Sequence, residues 1–169
     1  MSLSETTEKK GTLMGIITMV AEAVFNHSAE KVFDFVSNPA NWVTTYPGSE
    51  HEEGLPRDRA LKVGDVWVET GPRGERYSWR VAMAVRPTLW VCNTTGRLGH
   101  EADGSGGYEG RIVMQYRFLR PGGDVTVFQR SYQTETYAGS VLPDVFLTSM
   151  NPVHAETFFA GIARALAKG

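Results

Sequence analysis

The sequence predicts an α+β fold: a curved antiparallel sheet of six to seven strands wrapped around a long C-terminal helix, with two short helices after the first strand. Three observations carry this. Most of the chain between residues 60 and 136 is strand and turn, in places with clear apolar–polar alternation. The last twenty residues form one long segment with helical periodicity. Between Val24 and Pro47 the chain reads as an apolar strand end, a capped short helix, a second short helix and a proline stop.

Taken in order, residues 1–14 are expected to be a disordered tail, and residues 15–169 a single domain. Gly15 to Phe25, rich in Ile, Val, Met and Thr, reads as the first strand. Ser28 is placed to cap a helix, with Glu30 in its first turn, where the helix dipole favours an anion. Val32, Phe33 and Val36 recur at helical spacing. Asn38-Pro39 stops that helix and starts the next, with Pro39 at the first helical position. Trp42 and Val43 supply the second helix's apolar face, and Tyr46-Pro47-Gly48 ends it.

Residues 49–59 are charged and loop-like. Ala60 to Thr70 reads as a strand broken by Gly64-Asp65, Gly71 to Glu75 as a turn, and Arg76 to Arg86 as a strand. In that last strand Tyr77, Trp79, Val81, Met83 and Val85 alternate with smaller or polar residues. Leu89 to Thr95, Tyr108 to Leu119 and Val125 to Thr136 follow as strands. A glycine-rich loop is expected from Gly96 to Gly107 and a tight turn at Pro121-Gly122-Gly123-Asp124. Ser140 to Pro152 reads as irregular or as a broken helix. Asn151-Pro152 then opens the final helix, whose stripe is His154, Phe158, Ile162 and Leu166.

With 17 basic and 19 acidic residues, the formal net charge of −2 does not point to nucleic acid or to an anionic membrane. The single Cys92 excludes an internal disulfide framework and a multi-cysteine zinc site, and a reducing cytoplasmic setting is expected. Lys9-Lys10, the apolar run Leu13 to Val20 and Ala21-Glu22-Ala23 imitate an export signal, but cleavage there would remove most of the first strand. No segment reaches the ~20 apolar residues of a membrane span.

Motif lookalikes fail on their own chemistry. Gly104 to Glu109 has glutamate where a dinucleotide loop needs its third glycine. His51-Glu52 lacks a zincin's second histidine, and His154-Ala155-Glu156 lacks a deaminase's later cysteine pair. Cys92 reads as a small buried hydrophobe. No cofactor and no metal are expected.

Three stretches resemble one superfamily. Residues 28–42, S-A-E-K-V-F-D-F-V-S-N-P-A-N-W, resemble the first helix pair of the superfamily that includes START lipid-transfer domains, the birch-pollen allergen and bacterial polyketide cyclases. K-V-G-D-V-W, residues 62–67, resembles its second-strand opening. P-V-H-A-E-T-F-F-A-G-I-A-R-A-L, residues 152–166, resembles its closing helix. The resemblance implies a helix-grip fold with a cavity between the concave sheet and the last helix. Its members bind lipids, hormones or polyketides, act as cyclases, or serve as chaperone co-factors.

Wall residues for such a cavity would be Trp67, Tyr77, Trp79, Met83, Met114, Tyr116, Phe118, Phe158 and Ile162, unless they fill the interior completely. His154 shares the stripe of Phe158 and Ile162, so it either points inward as an acid–base group or stands half-exposed in the first turn. Arg130 lies between Phe128 and Tyr132 on one face of the last strand. If that face is concave, Arg130 would hold an enolate or carboxylate and Tyr132 would protonate it. The opposite register puts Val127, Gln129 and Ser131 inside, and because arginine is rarely buried unpaired, an outward Arg130 is the plainer reading. Glu69, Arg80 and Arg111 share the ambiguity, with cross-strand ion pairs as the simple account.

Three functions follow as expectations. The first is a module binding a small hydrophobic or amphipathic ligand, lipid or polyketide-like. The second is a cyclase or dehydratase using His154, Arg130 and Tyr132 in the same cavity. The third is a protein-partner module with a filled core. A homodimer is compatible with each.

Overall fold

The computed structural model describes residues 15–137, 139–142 and 150–168. The predicted tail and the central part of the Ser140–Pro152 lead-in lie outside those residues. Seven strands form one antiparallel sheet: β1 (Gly15–Phe25), β2 (His51–Glu53), β3 (Val66–Thr70), β4 (Arg76–Val85), β5 (Leu89–His100), β6 (Gly106–Gly122) and β7 (Val125–Thr136). Their order is β1-β7-β6-β5-β4-β3-β2. The first strand therefore pairs with the last, and the remainder is a meander. Because β1 and β2 occupy opposite edges, the chain between them must cross the whole sheet. It does so as the two short helices.

Helix α1 (Ala29–Val36) starts as predicted, with the Ser28 hydroxyl accepting from the Lys31 N–H at 3.3 Å. Ala29, Val32, Phe33 and Val36 form its buried face. A 3-10 turn at Pro39–Asn41 follows, capped by Asn38, and runs into α2 (Trp42–Thr45). The Trp42 indole N–H donates to the Val36 carbonyl at 2.9 Å, locking α2 onto the end of α1. Helix α3 (Pro152–Leu166) is capped by Asn151 and buries Ala155, Phe158, Phe159, Ile162 and Leu166. It crosses α2 at Gly161, where a Cβ would stand 2.7 Å from the Thr45 carbonyl oxygen. Only glycine permits that approach.

Four expectations are corrected. His51–Glu53 is a strand, β2, although its sequence is charged; pairing with β3 supplies the order that composition did not signal. The predicted loop Gly96–Gly107 is mostly ladder. Residues 97–100 continue β5 and pair with β6 as far as His100 opposite Gly106, because glycines in the left-handed region at Gly96, Gly99 and Gly106 let the strands twist without breaking. The alternation in β4 slips at a bulge between Val81 and Met83. Trp79 and Val81 point inward, but Met83 is 46% exposed on the outer face and Ala84 takes its place. The outward reading of Arg130 is reversed: on β7 the residues Thr126, Phe128, Arg130, Tyr132 and Thr134 are all buried.

The interior beneath α1 and α2 is filled by aromatic rings. Trp42 stands edge-on to Trp67, Trp90 and Tyr116 at centroid distances of 5.8, 6.0 and 6.3 Å. Trp90 stacks on Tyr116 at 5.5 Å, and Phe118 packs on Phe33 and Phe128. Cys92 is fully buried among them, as expected for a small hydrophobe.

Candidate functional site

The strand period places one charged residue on the concave face of β3 and another on that of β7. Glu69 follows Trp67 by two positions and Arg130 follows Phe128 by two, so each shares the inward side of an apolar neighbour. Both line a cavity of about 80 Å3, together with Tyr46, Gly48, Arg73, Glu75, Tyr77, Trp79, Met114 and Tyr132.

Arg130 is 1% exposed. Its guanidinium lies 5.0, 5.2 and 5.6 Å from the ring centroids of Tyr46, Phe158 and Tyr132, a cage whose π faces stabilise a cation. One nitrogen, Nη2, reaches the Met114 sulfur at 3.7 Å, and that sulfur also accepts from the Tyr116 hydroxyl at 3.0 Å. Nε and Nη1 have no hydrogen-bond partner among the described residues. A buried cation with two idle donors is costly to maintain without a function, since each unmade hydrogen bond to a charged group forfeits about 1.5–3 kcal/mol.

Glu69 accepts from the Trp79 indole N–H at 2.7 Å through Oε2, while its Oε1 is buried with no partner among the described residues. Burial pushes its carboxyl up to about 7, against the pull of the Trp79 hydrogen bond and the Arg130 charge. Glu52 lies directly opposite Glu69 in the β2–β3 ladder. Its Oε1 accepts from the Ser49 hydroxyl at 2.8 Å, and its Oε2 is buried with no partner among the described residues. Burial first, and then the neighbouring Glu69 charge, push Glu52 up to about 8. The Tyr132 and Tyr77 phenols are both pushed up by burial, so each stays a neutral donor at physiological pH.

The predicted residues separate into three groups. Arg130, Tyr132, Tyr77, Trp79 and Met114 come together at the cavity, with Phe158 packed on the guanidinium. Trp67, Tyr116, Phe118 and Ile162 are buried in the core and do not line it. Met83 points outward, and His154 is half-buried in the first turn of α3, outside the cavity lining. Sequence reasoning missed Glu69, Glu52 and Tyr46 as site residues. Glu69 carried a signal, a carboxylate on the same strand face as Trp67, but read as a cross-strand ion pair; the structure gives it an indole N–H instead. The ion-pair reading holds for Arg111, which meets Glu135 directly across the ladder at 2.9 Å.

A larger cleft of about 450 Å3 lies between α1 and the loop joining β2 to β3, with Phe33, Leu55, Leu61 and Trp90 among its walls. It shares no lining residue with the first cavity; Trp67 stands between, 6.2 Å from Trp79 and 6.0 Å from Trp90. Of its arginines, Arg59 and Arg86 are committed to Asp65 and Asp34, and Arg57 lies on an exposed stretch of the loop. The fully buried cation is in the first cavity.

No family model matches the chain, and no curated protein sequence matches it. Solved structures do. Ara h 8.0201 aligns with a TM-score of 0.65 over 92% of this chain and 100% of its own, at 15% identity. Norcoclaurine synthase from Thalictrum flavum aligns with a TM-score of 0.61 over 94% of this chain and 89% of its own, at 18% identity. The Zhui aromatase/cyclase from Streptomyces sp. R1128 aligns with a TM-score of 0.65 over 91% and 95%, at 11% identity. Likeness at such identities is likeness of fold. With its curved seven-stranded sheet closed by short helices and a long C-terminal helix, this chain has the helix-grip fold, which it shares with these solved structures.

Proposed function

We propose that this protein binds a small amphipathic ligand, whose anionic or enolic oxygen enters the cavity and meets Arg130. The observation that carries the reading is the Arg130 guanidinium, 1% exposed, with Nε and Nη1 unpartnered among the described residues and the cavity beside it. Tyr46, Tyr77 and Trp79 offer flat apolar surface for the rest of the molecule. At about 80 Å3 the cavity accepts the polar end of a compact ligand. Pockets that enclose a whole drug-sized molecule run to roughly 300–1,000 Å3. The size therefore favours a short ring compound over a long-chain lipid. A partner module with a filled core is the least supported reading, because the core is open where its charge lies.

The test is a tryptophan-fluorescence titration with naphthalene-2-carboxylate and its methyl ester. The carboxylate should bind roughly 10- to 100-fold more tightly, the worth of one charge-assisted hydrogen bond. Arg130→Met should remove that preference. Equal binding of acid and ester by the native protein would overturn the reading.

One observation favours an enzymatic use of the same cavity. Glu69, pushed up to about 7, stands with Arg130 and Tyr132 around one space, so a proton acceptor, an oxyanion partner and a proton donor converge there. In a cyclase or dehydratase role, Glu69 would do the proton transfer that the sequence suggested for His154. A β-dicarbonyl compound in D2O should then exchange its α-protons faster with the native protein than with Glu69→Gln. Equal exchange would exclude it.

A further inference from the structure

The half-buried Glu52 and the buried Glu69 are the groups that ligand capture by Arg130 leaves unexplained. They face each other across the β2–β3 ladder, where opposite side chains on one face have Cβ atoms about 4.5–5.5 Å apart. Each has one oxygen satisfied, by Ser49 or by Trp79, and one oxygen buried with no partner among the described residues. Two neighbouring carboxylates, one buried and one half-buried, repel, whereas a carboxylic acid beside a carboxylate attracts, and the proton fills an idle oxygen. Only Glu69 of the two lines the cavity; Glu52 stands behind it.

We propose that Glu52 and Glu69 share one proton behind the cavity, and that the ligand's oxyanion is held between Arg130 and the protonated Glu69. The site then takes a carboxylate or enolate together with a proton. This rests on the ligand reading above and adds its regulation. Arg130 supplies charge, Glu69 supplies an O–H, and Glu52 is a positioning residue that acts through Glu69.

The groups facing Glu69 are compatible with this. From the turn before β4, Glu75 is engaged by Arg73, whose N–H it accepts at 2.7 Å. From β4, β5, β6 and β7, Tyr77, Cys92, Tyr116 and Tyr132 are all pushed up by burial and stay protonated near neutral pH. Tyr46 completes the ring from the end of α2. Arg130 is the cation facing Glu69 from β7, and it stays charged throughout. The carboxyl pair is thus the titrating element near neutrality on this wall.

The experiment is the dissociation constant of naphthalene-2-carboxylate measured between about pH 5.5 and 9, where the ligand itself remains ionised. In the native protein affinity should be level at the acid end and fall by up to about tenfold per pH unit once the pair loses its proton. Glu69→Gln, whose amide is a permanent donor, should bind with no such fall. Glu52→Gln should retain affinity at the acid end, with the fall displaced to lower pH by about one unit, because the like charge that holds the proton on Glu69 is gone. Native affinity that stays constant across the range, or a Glu52→Gln profile superimposed on the native one, overturns the shared proton and leaves the Arg130 reading standing. Absence of binding at every pH overturns both.

Discussion

Glu69→Gln should reverse its effect on stability with pH. The native carboxyl is buried and pushed from 4.5 to about 7 by loss of solvent. Its folded-state proton affinity exceeds that of the unfolded chain, so its contribution is fully present below about pH 4.5 and is lost as pH rises through about 7. At about 1.4 kcal/mol per pH unit, the gap between those values amounts to ~3 kcal/mol. Glutamine keeps an oxygen for the Trp79 N–H and never ionises. Urea denaturation of both proteins at about pH 5 and pH 8 measures the difference. The stability of the variant relative to the native protein should rise by ~2.5 kcal/mol between the two conditions, since a little of the contribution is already lost at about pH 5. Glu52 reinforces the direction, since its own upward push weakens when the Glu69 charge is removed. A relative stability that does not move with pH would refute the argument that Glu69 is held in a dry, charge-averse site.

Two further expectations concern packing. Gly161→Ala should destabilise the fold by about 1–3 kcal/mol in urea unfolding, because the new Cβ meets the Thr45 backbone at 2.7 and 2.9 Å; an increase in stability, as helix propensity alone would give, would contradict the close α2–α3 approach. Met83→Lys should change stability by ~0.5 kcal/mol or less, since the β4 bulge turns Met83 outward; a loss near that of a buried methionine, about 2–5 kcal/mol, would restore the unbulged register.

Local chemistry was legible wherever it is enforced over a few residues. Ser28, Asn38 and Asn151 act as caps because a short polar side chain reaches an N–H two or three positions on, whatever surrounds it. The bounds of Val125–Thr136 were readable to the residue from the tight turn before it and the alternation along it, but not which face turns inward. His51–Glu53 was not, since a histidine and two glutamates become a strand only when β3 presents its edge. Met83 was misplaced because a bulge interrupts the alternation without changing the residue types on either side.

The sequence by itself determined the helix-grip architecture and supplied Arg130, Tyr132, Tyr77, Trp79 and Met114 as candidates, since periodicity and capping are properties of neighbouring residues. Tertiary structure decided which face of β7 turns inward, and with it the burial of Arg130. It also decided that Glu69 and Glu52 meet across a ladder, and that His154 stands outside the cavity. Those outcomes depend on strand order and on groups far apart in the chain. A one-residue slip in any strand would have faced the same side chains to water.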